Sequence, residues 1–231
     1  ELRKVSYGYD PGSPVLREID LQIRPGEALA LLGANGCGKS TLQKLLDGLI
    51  FPDAGRISAF GRELTEAGLR DARANLAFRR RVGFVFQDPE VQLFSGTVRD
   101  EVAFGPRQFL PAAEAEARTA DLLALLDLVA LADRPPYTLS GGEQKKVALA
   151  SVLAVSPDVL ILDEPTNGLD PRSQSWVIHL LQGLRAAGKT LVTATHHLGL
   201  VPRIADRAVV LGEDHRIIAD GTPQKILADR E

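Results

Sequence analysis

Nine consecutive residues, Gly33-Ala34-Asn35-Gly36-Cys37-Gly38-Lys39-Ser40-Thr41, satisfy the spacing G-x-x-x-x-G-K-[ST] with one further glycine inside the variable stretch. A backbone that curls its N–H groups around phosphate oxygens needs glycine at the turns. Lys39 adds a full positive charge, a helix beginning near Ser40 adds a partial one, and the Ser40 hydroxyl can ligate magnesium. Farther along, the apolar run Val159-Leu160-Ile161-Leu162 emerges into Asp163 and Glu164. That order suits a buried strand delivering two carboxylates to a ligand crevice, where Asp163 holds the magnesium shell and Glu164 orients or deprotonates water. His196 follows a second apolar run, Thr190 to Thr195, and is placed to reach a γ-phosphate from the same sheet. Leu139-Ser140-Gly141-Gly142-Glu143 supplies a second glycine-rich phosphate cradle.

These side chains need a scaffold that brings strand ends together. Strand-like runs occur at Ala28 to Leu32, Val82 to Phe86, Val159 to Leu162, Leu191 to Ala194 and Ala208 to Leu211, with helical patterns between several of them. This predicts an α/β core with parallel strands. From Gln87 to about Ala154 strand signals vanish and helical spacing takes over, notably across Ala112 to Leu131, until Pro135-Pro136 breaks the pattern. The stretch is expected to be an inserted helical subdomain whose last long helix spans about Glu143 to Val155. The 231 residues suit one domain, with residues 1–87 and 155–231 forming the core and 88–154 the insertion.

A net charge of -3 gives no sign of nucleic acid as a partner. Arg79-Arg80-Arg81 and Lys145-Lys146 are expected to be solvated charges at helix or strand ends. No run of 18 apolar residues and no charged-then-apolar leader is present, so the chain is expected to dock at a membrane rather than span it. The one cysteine, Cys37, excludes an internal disulfide and suits a reducing compartment. Its position inside the phosphate loop leads to the expectation that thiol alkylation collides with bound phosphates and that ATP protects against it.

In the order and type of these motifs the chain resembles ABC-type ATPases along almost its whole length. Within them it is most similar to the ATPase subunits of energy-coupling factor importers of the cobalt and nickel, CbiO-like, type. The resemblance implies a P-loop NTPase (RecA-like) core with a mainly parallel sheet and an inserted helical subdomain of the ABC type. It makes Gly33 to Thr41 the Walker A loop, so that Asn35, Gly36, Cys37, Gly38, Lys39, Ser40 and Thr41 bind ATP. Gln87 is the Q-loop glutamine and a further magnesium contact beside Ser40 and Asp163. Glu164 is the catalytic glutamate, Asn167 to Asp170 the D-loop and His196 the switch histidine. Tyr9 matches the ring that stacks on adenine, with Tyr7 the competing position. Ser140, Gly141 and Gly142 serve the ATP held by a second subunit, so the implied assembly is a homodimer or a paralogous heterodimer in which two ATP molecules are sandwiched.

The resemblance also implies a groove near Gln87 to Phe94 for a transmembrane coupling subunit, and hence a peripheral location on the cytoplasmic face of the membrane. Three departures stand out: Glu143 replaces the usual Gln of the signature, His197 stands where many relatives have Asp, and the sequence stops soon after Gly221-Thr222-Pro223, short of the dimerising extension of many energy-coupling ATPases. The alternative class is a soluble ABC ATPase in cofactor assembly or repair.

Overall fold

The computed structural model describes residues 1–228. The chain opens with a hairpin, β1 (Leu2–Asp10) and β2 (Ser13–Leu21), and then enters β3 (Ala28–Gly33), which leads through the glycine-rich loop into α1 (Lys39–Leu46). Next come β4 (Ala54–Ala59), β5 (Arg62–Glu63), α2 (Glu66–Arg70), α3 (Ala72–Arg81) and β6 (Val82–Val85). Three helices follow, α4 (Val98–Phe109), α5 (Ala112–Leu125) and α6 (Gly141–Leu153). The remainder alternates again: β7 (Val159–Asp163), α7 (Pro171–Ala186), β8 (Thr190–Ala194), α8 (Val201–Ile204), β9 (Arg207–Leu211), β10 (Ile217–Gly221) and α9 (Pro223–Ala228).

Two sheets result. The larger has the order β10-β9-β3-β8-β7-β6 and is parallel throughout except for β10, which runs antiparallel to β9. The smaller, β2-β1-β4-β5, is antiparallel. Side chains alternate across β3, so Leu29 and Leu31 face one layer while Ala28, Ala30 and Leu32 face the other. On the first side they join Leu2, Val5, Leu16, Ile19 and Ile57 of the antiparallel sheet. On the second they meet Val177, Ile178 and Leu181 of α7. Truncating Leu31, fully buried between these layers, to Ala costs about 2–5 kcal/mol by the usual core scale.

A third core is made by α4, α5 and α6, through Val98, Val102, Leu123, Val147 and Ala150. Two expectations about this region shift. The helical pattern across Ala112 to Leu131 is cut at Leu125, because Asp127 takes a left-handed backbone (φ 64°) and the apolar residues that follow form a short 3-10 turn, Val129–Leu131. The signature helix begins two residues earlier than expected, at Gly141, because Ser140 caps it: the Ser140 hydroxyl accepts from the Glu143 N–H, while a Glu143 carboxylate oxygen accepts from the Ser140 N–H at 2.8 Å.

Candidate active site

At the C-terminal end of β3 the chain must turn sharply to bring its amides toward a common point. Gly33 has φ 142°, and a Cβ there would lie 2.6 Å from Cys37 Sγ. Gly38 has φ 108°, and a Cβ there would lie 2.6 Å from the Val15 carbonyl oxygen, so only glycine lets the hairpin approach the loop this closely. The first turn of α1 has no side-chain cap and no acidic residue, leaving its N–H groups available to an anion. Lys39 folds back so that Nζ donates to the Gly33 and Ala34 carbonyls, each at 2.9 Å.

The strand ends of β6, β7 and β8 carry the other groups. A cavity of about 480 Å³ is lined by Tyr9, Val15, Asn35, Gly36, Gly38, Lys39, Ser40, Thr41, Gln87, Asp163, Glu164, Asn167 and His196. A larger and more open hollow of about 870 Å³ lies on the antiparallel sheet among Arg3, Lys4, Asp20 and Arg56, away from the glycine-rich loop. Convergence of loop amides, an ammonium and two buried carboxylates marks the smaller one as the candidate site.

Burial raises the Asp163 carboxyl above its ordinary value; a bond from the Ser40 hydroxyl lowers it, nearby Glu164 raises it further and Lys39 opposes that. A buried carboxylate beside a hydroxyl is a donor set that fits a hard divalent cation. Among the described residues no group of three or more His, Cys, Asp or Glu side chains could hold a metal by itself, so Ser40 and Asp163 would need phosphate oxygens to complete a magnesium shell. Glu164 is held at φ 43°, a left-handed backbone that a non-glycine residue adopts at a cost of roughly 1–3 kcal/mol. Its N–H donates to the Ala194 carbonyl at 3.0 Å, fixing it against β8. One carboxylate oxygen lies 2.8 Å from His196 Nδ1; the other, Oε2, is buried with no protein partner. Glu164 and His196 both line the cavity, and a carboxylate set beside an imidazole there is an arrangement able to orient a water.

Of the two histidines, His196 lines the cavity, whereas His197 stacks behind it with ring centroids 4.2 Å apart. Of the two tyrosines, Tyr9 is 54% exposed at the cavity mouth, its hydroxyl 3.3 Å from Thr41 Oγ1. Tyr7 packs against the core and meets Tyr9 edge-on. The structure thus brings together Tyr9, Asn35, Gly36, Gly38, Lys39, Ser40, Thr41, Gln87, Asp163, Glu164 and His196. Val15 and Asn167 join them, the first on β2 and the second following β7.

The three signature residues expected to serve a second subunit's nucleotide lie outside this cavity. Ser140, Gly141 and Gly142 are absent from this lining and sit at the start of α6, where Gly142 packs against Ser173 of α7. Cys37 does correct an expectation: its side chain is only 3% exposed and joins the core between the two sheets, leaving its backbone alone to serve the loop. The arginines lie in the last turn of α3 with Arg80 and Arg81 exposed, as expected, but the lysine pair is corrected at one position. Lys145 is fully buried, Nζ donating to the Phe86 carbonyl at 3.1 Å and the Gln87 carbonyl at 2.7 Å. Burial pushes its ammonium down to about 8, against the attraction of Asp88 and Asp163. Lys146 lies 5.0 Å from the Trp176 ring centroid, Arg79 bonds Asp47 at 2.7 Å, and Arg81 stacks 3.5 Å over Phe60.

The family model described as ABC transporter matches residues 16–167. The nickel import ATP-binding protein NikO of Rhodobacter capsulatus is 54% identical over 232 residues, covering 99% of this chain and 91% of that protein. Among solved structures, cbiO1 of Clostridium perfringens, part of the ABC transporter complex cbiONQ, superposes with TM-score 0.85 at 37% identity over 100% of this chain and 90% of that one. The ATP-binding cassette MJ0796, a dimer bound to ADP and phosphate, gives TM-score 0.84 at 28% identity over 96% of this chain and 97% of that one.

Proposed function

Because the chain belongs to the ABC transporter family and is an ATPase, we propose that it powers an energy-coupling factor importer for nickel, cobalt or another micronutrient. The observation that carries the importer reading is an apolar patch just past Gln87. Phe94 and Phe104 meet edge to face with centroids 4.9 Å apart and are 67% and 48% exposed, and Val91 beside them is 71% exposed. Aromatic side chains left bare next to a phosphate-sensing loop suit the docking of a membrane subunit's helix. Gln92 and Leu93, by contrast, turn inward: Gln92 bonds Phe86 and Ala148, and Leu93 packs on the helical core.

Each site residue takes a role from its surroundings. Lys39 and the loop amides of Asn35 to Thr41 neutralise the β- and γ-phosphates, and Tyr9 stacks on the base. Ser40, Asp163 and Gln87 would hold magnesium, which when bound offsets the charge of the phosphates. Glu164 accepts a proton from the attacking water, and His196 fixes that carboxylate and faces the γ-phosphate. Ser140, Gly141 and Gly142 present the start of α6 to the nucleotide of a partner subunit, homologous or identical, so that ATP joins two chains and hydrolysis parts them. Residues 1–87 and 155–231 form the nucleotide-binding core, and 88–154 the helical subdomain that docks. No helix among the described residues is long and apolar enough to cross a membrane; docking to a transmembrane subunit would put the place of work at the periphery, on the cytoplasmic face.

The test is the double variant Phe94→Ala, Phe104→Ala expressed with the membrane subunits. Co-purification with a multi-span protein should be lost while ATP hydrolysis by the isolated chain persists. If the wild-type chain captures no membrane protein at all, the soluble reading, an ATPase of cofactor assembly or repair, takes its place.

A further inference from the structure

Lys145 is the largest fully buried side chain among the described residues, and its two hydrogen-bond partners are both backbone carbonyls. An ammonium in such a place is costly to desolvate, and carbonyl dipoles offset that cost less completely than a carboxylate would. Those carbonyls belong to Phe86 and Gln87, the two residues immediately beyond the last strand residue of β6, where no neighbouring strand holds the backbone. The same short segment is gripped a second time. The Phe86 N–H donates to Gln92 Oε1 at 3.1 Å, and Gln92 Nε2 in turn donates to the Ala148 carbonyl of α6 at 3.3 Å. Lys145 and Ala148 are three residues apart and so share one face of α6. Both polar groups of Phe86 are therefore tied to the signature helix, one directly and one through Gln92.

We propose that Lys145 is a positioning residue that fixes Gln87 in the phosphate cavity by tethering the Phe86 and Gln87 carbonyls to α6. Ser140, the cap of the same helix, lies five residues before Lys145, about 7.5 Å along the axis. A rigid helix moved at its cap carries the tether with it. Resting on the reading in which Ser140 engages the partner's nucleotide, the tether transmits closure at one site to Gln87 of the other: ATP bound by the partner pulls α6, and α6 sets Gln87 against the ATP of its own chain.

The experiment is a double-mutant cycle between Lys145→Met and Gln87→Ala, read by single-turnover hydrolysis, by ATP affinity without magnesium and by thermal unfolding. Lys145→Met removes the ammonium and keeps an unbranched apolar chain. It should slow hydrolysis about tenfold, leave magnesium-free ATP affinity within about twofold, and not lower the unfolding temperature. In the Gln87→Ala background the same change should cost less than about twofold, since the group it positions is already gone. Lys145→Gln retains a donor and should restore part of the rate. A full tenfold loss in the Gln87→Ala background would show that Lys145 does not act through Gln87. A fall in unfolding temperature and affinity that parallels the loss of rate would reduce it to a structural residue. The shared-nucleotide reading is tested apart, by sizing Glu164→Gln subunits with ATP and magnesium. A dimer there upholds transmission between sites, whereas a monomer sinks that part and leaves the cycle to judge the tether alone.

Discussion

At the scale of single residues, chemistry was legible where a side chain's task depends on a local pattern and hidden where it depends on what the fold brings near. Glu164 belongs to the first kind: it ends an apolar strand run, and the structure sets one of its oxygens 2.8 Å from His196 Nδ1 at the cavity. Glu164→Gln keeps the shape and loses the basic carboxylate, so steady-state hydrolysis should fall about 10²- to 10⁴-fold while ATP binding persists and traps a dimer. Near-normal turnover would remove Glu164 from the chemistry. Lys145 and Cys37 belong to the second kind. A lysine pair in a helical stretch reads as solvated, and only the approach of the Phe86 and Gln87 carbonyls makes one of the two buried. The cysteine reads as phosphate-facing because its neighbours are, yet the turn forced by Gly33 and Gly38 rotates it into the core. Maleimide should therefore label native Cys37 slowly, at a rate that ATP affects only as far as it suppresses opening of the fold, and quickly after denaturation. Fast native labelling blocked by ATP at the phosphate site would restore the discarded expectation.

At the scale of elements, the parallel strands are the most readable part, because strands buried on both faces leave uninterrupted apolar runs such as Leu29 to Leu32 and Leu160 to Leu162. The antiparallel sheet is not. In β1 and β2 bulges and the left-handed Lys4 and Glu18 disrupt the alternation on which strand recognition depends, although this sheet carries Tyr9. The start of α6 carries a prediction of its own. Ser140 donates its hydroxyl to Glu143 Oε2 at 2.7 Å, and these bonds hold the Glu143 carboxyl below its ordinary value. A lowered carboxyl supports the cap above its unfolded value of 4.5, and the support fades as pH falls through the folded value. Under neutral conditions the carboxylate is thus charged at the place where a partner's γ-phosphate is to arrive. Glu143→Gln keeps a side-chain acceptor for the Ser140 N–H and removes the repulsion, so ATP-dependent dimerisation should tighten by about two- to fivefold, the scale of a surface charge interaction. Analytical ultracentrifugation in the Glu164→Gln background measures it, and weaker dimerisation would mean that the charge serves closure rather than opposing it.

For the whole molecule, the division of labour between the two sheets sets what the protein can distinguish. In the proposed reading, phosphate recognition rests on the loop after β3, Lys39 and the ends of β6, β7 and β8, all built on the parallel sheet. The ring proposed to meet the base comes from the other sheet, and beside it are apolar Val15 and a Thr41 hydroxyl close enough to pair with Tyr9 itself. A stacked tyrosine feels the flat face common to all purines, not the amino and keto groups along their edges. Nucleobase selectivity should accordingly be poor: GTP should support turnover with kcat/KM within about tenfold of that for ATP, less than the discrimination of a site that hydrogen-bonds the base edge. A preference of a thousandfold or more would mean that an edge-reading group meets the base when two chains close. An importer driven by so permissive a base site would draw on the cell's pooled purine triphosphates rather than on one of them, and its supply of energy would follow the total phosphorylation state more closely than the abundance of ATP alone.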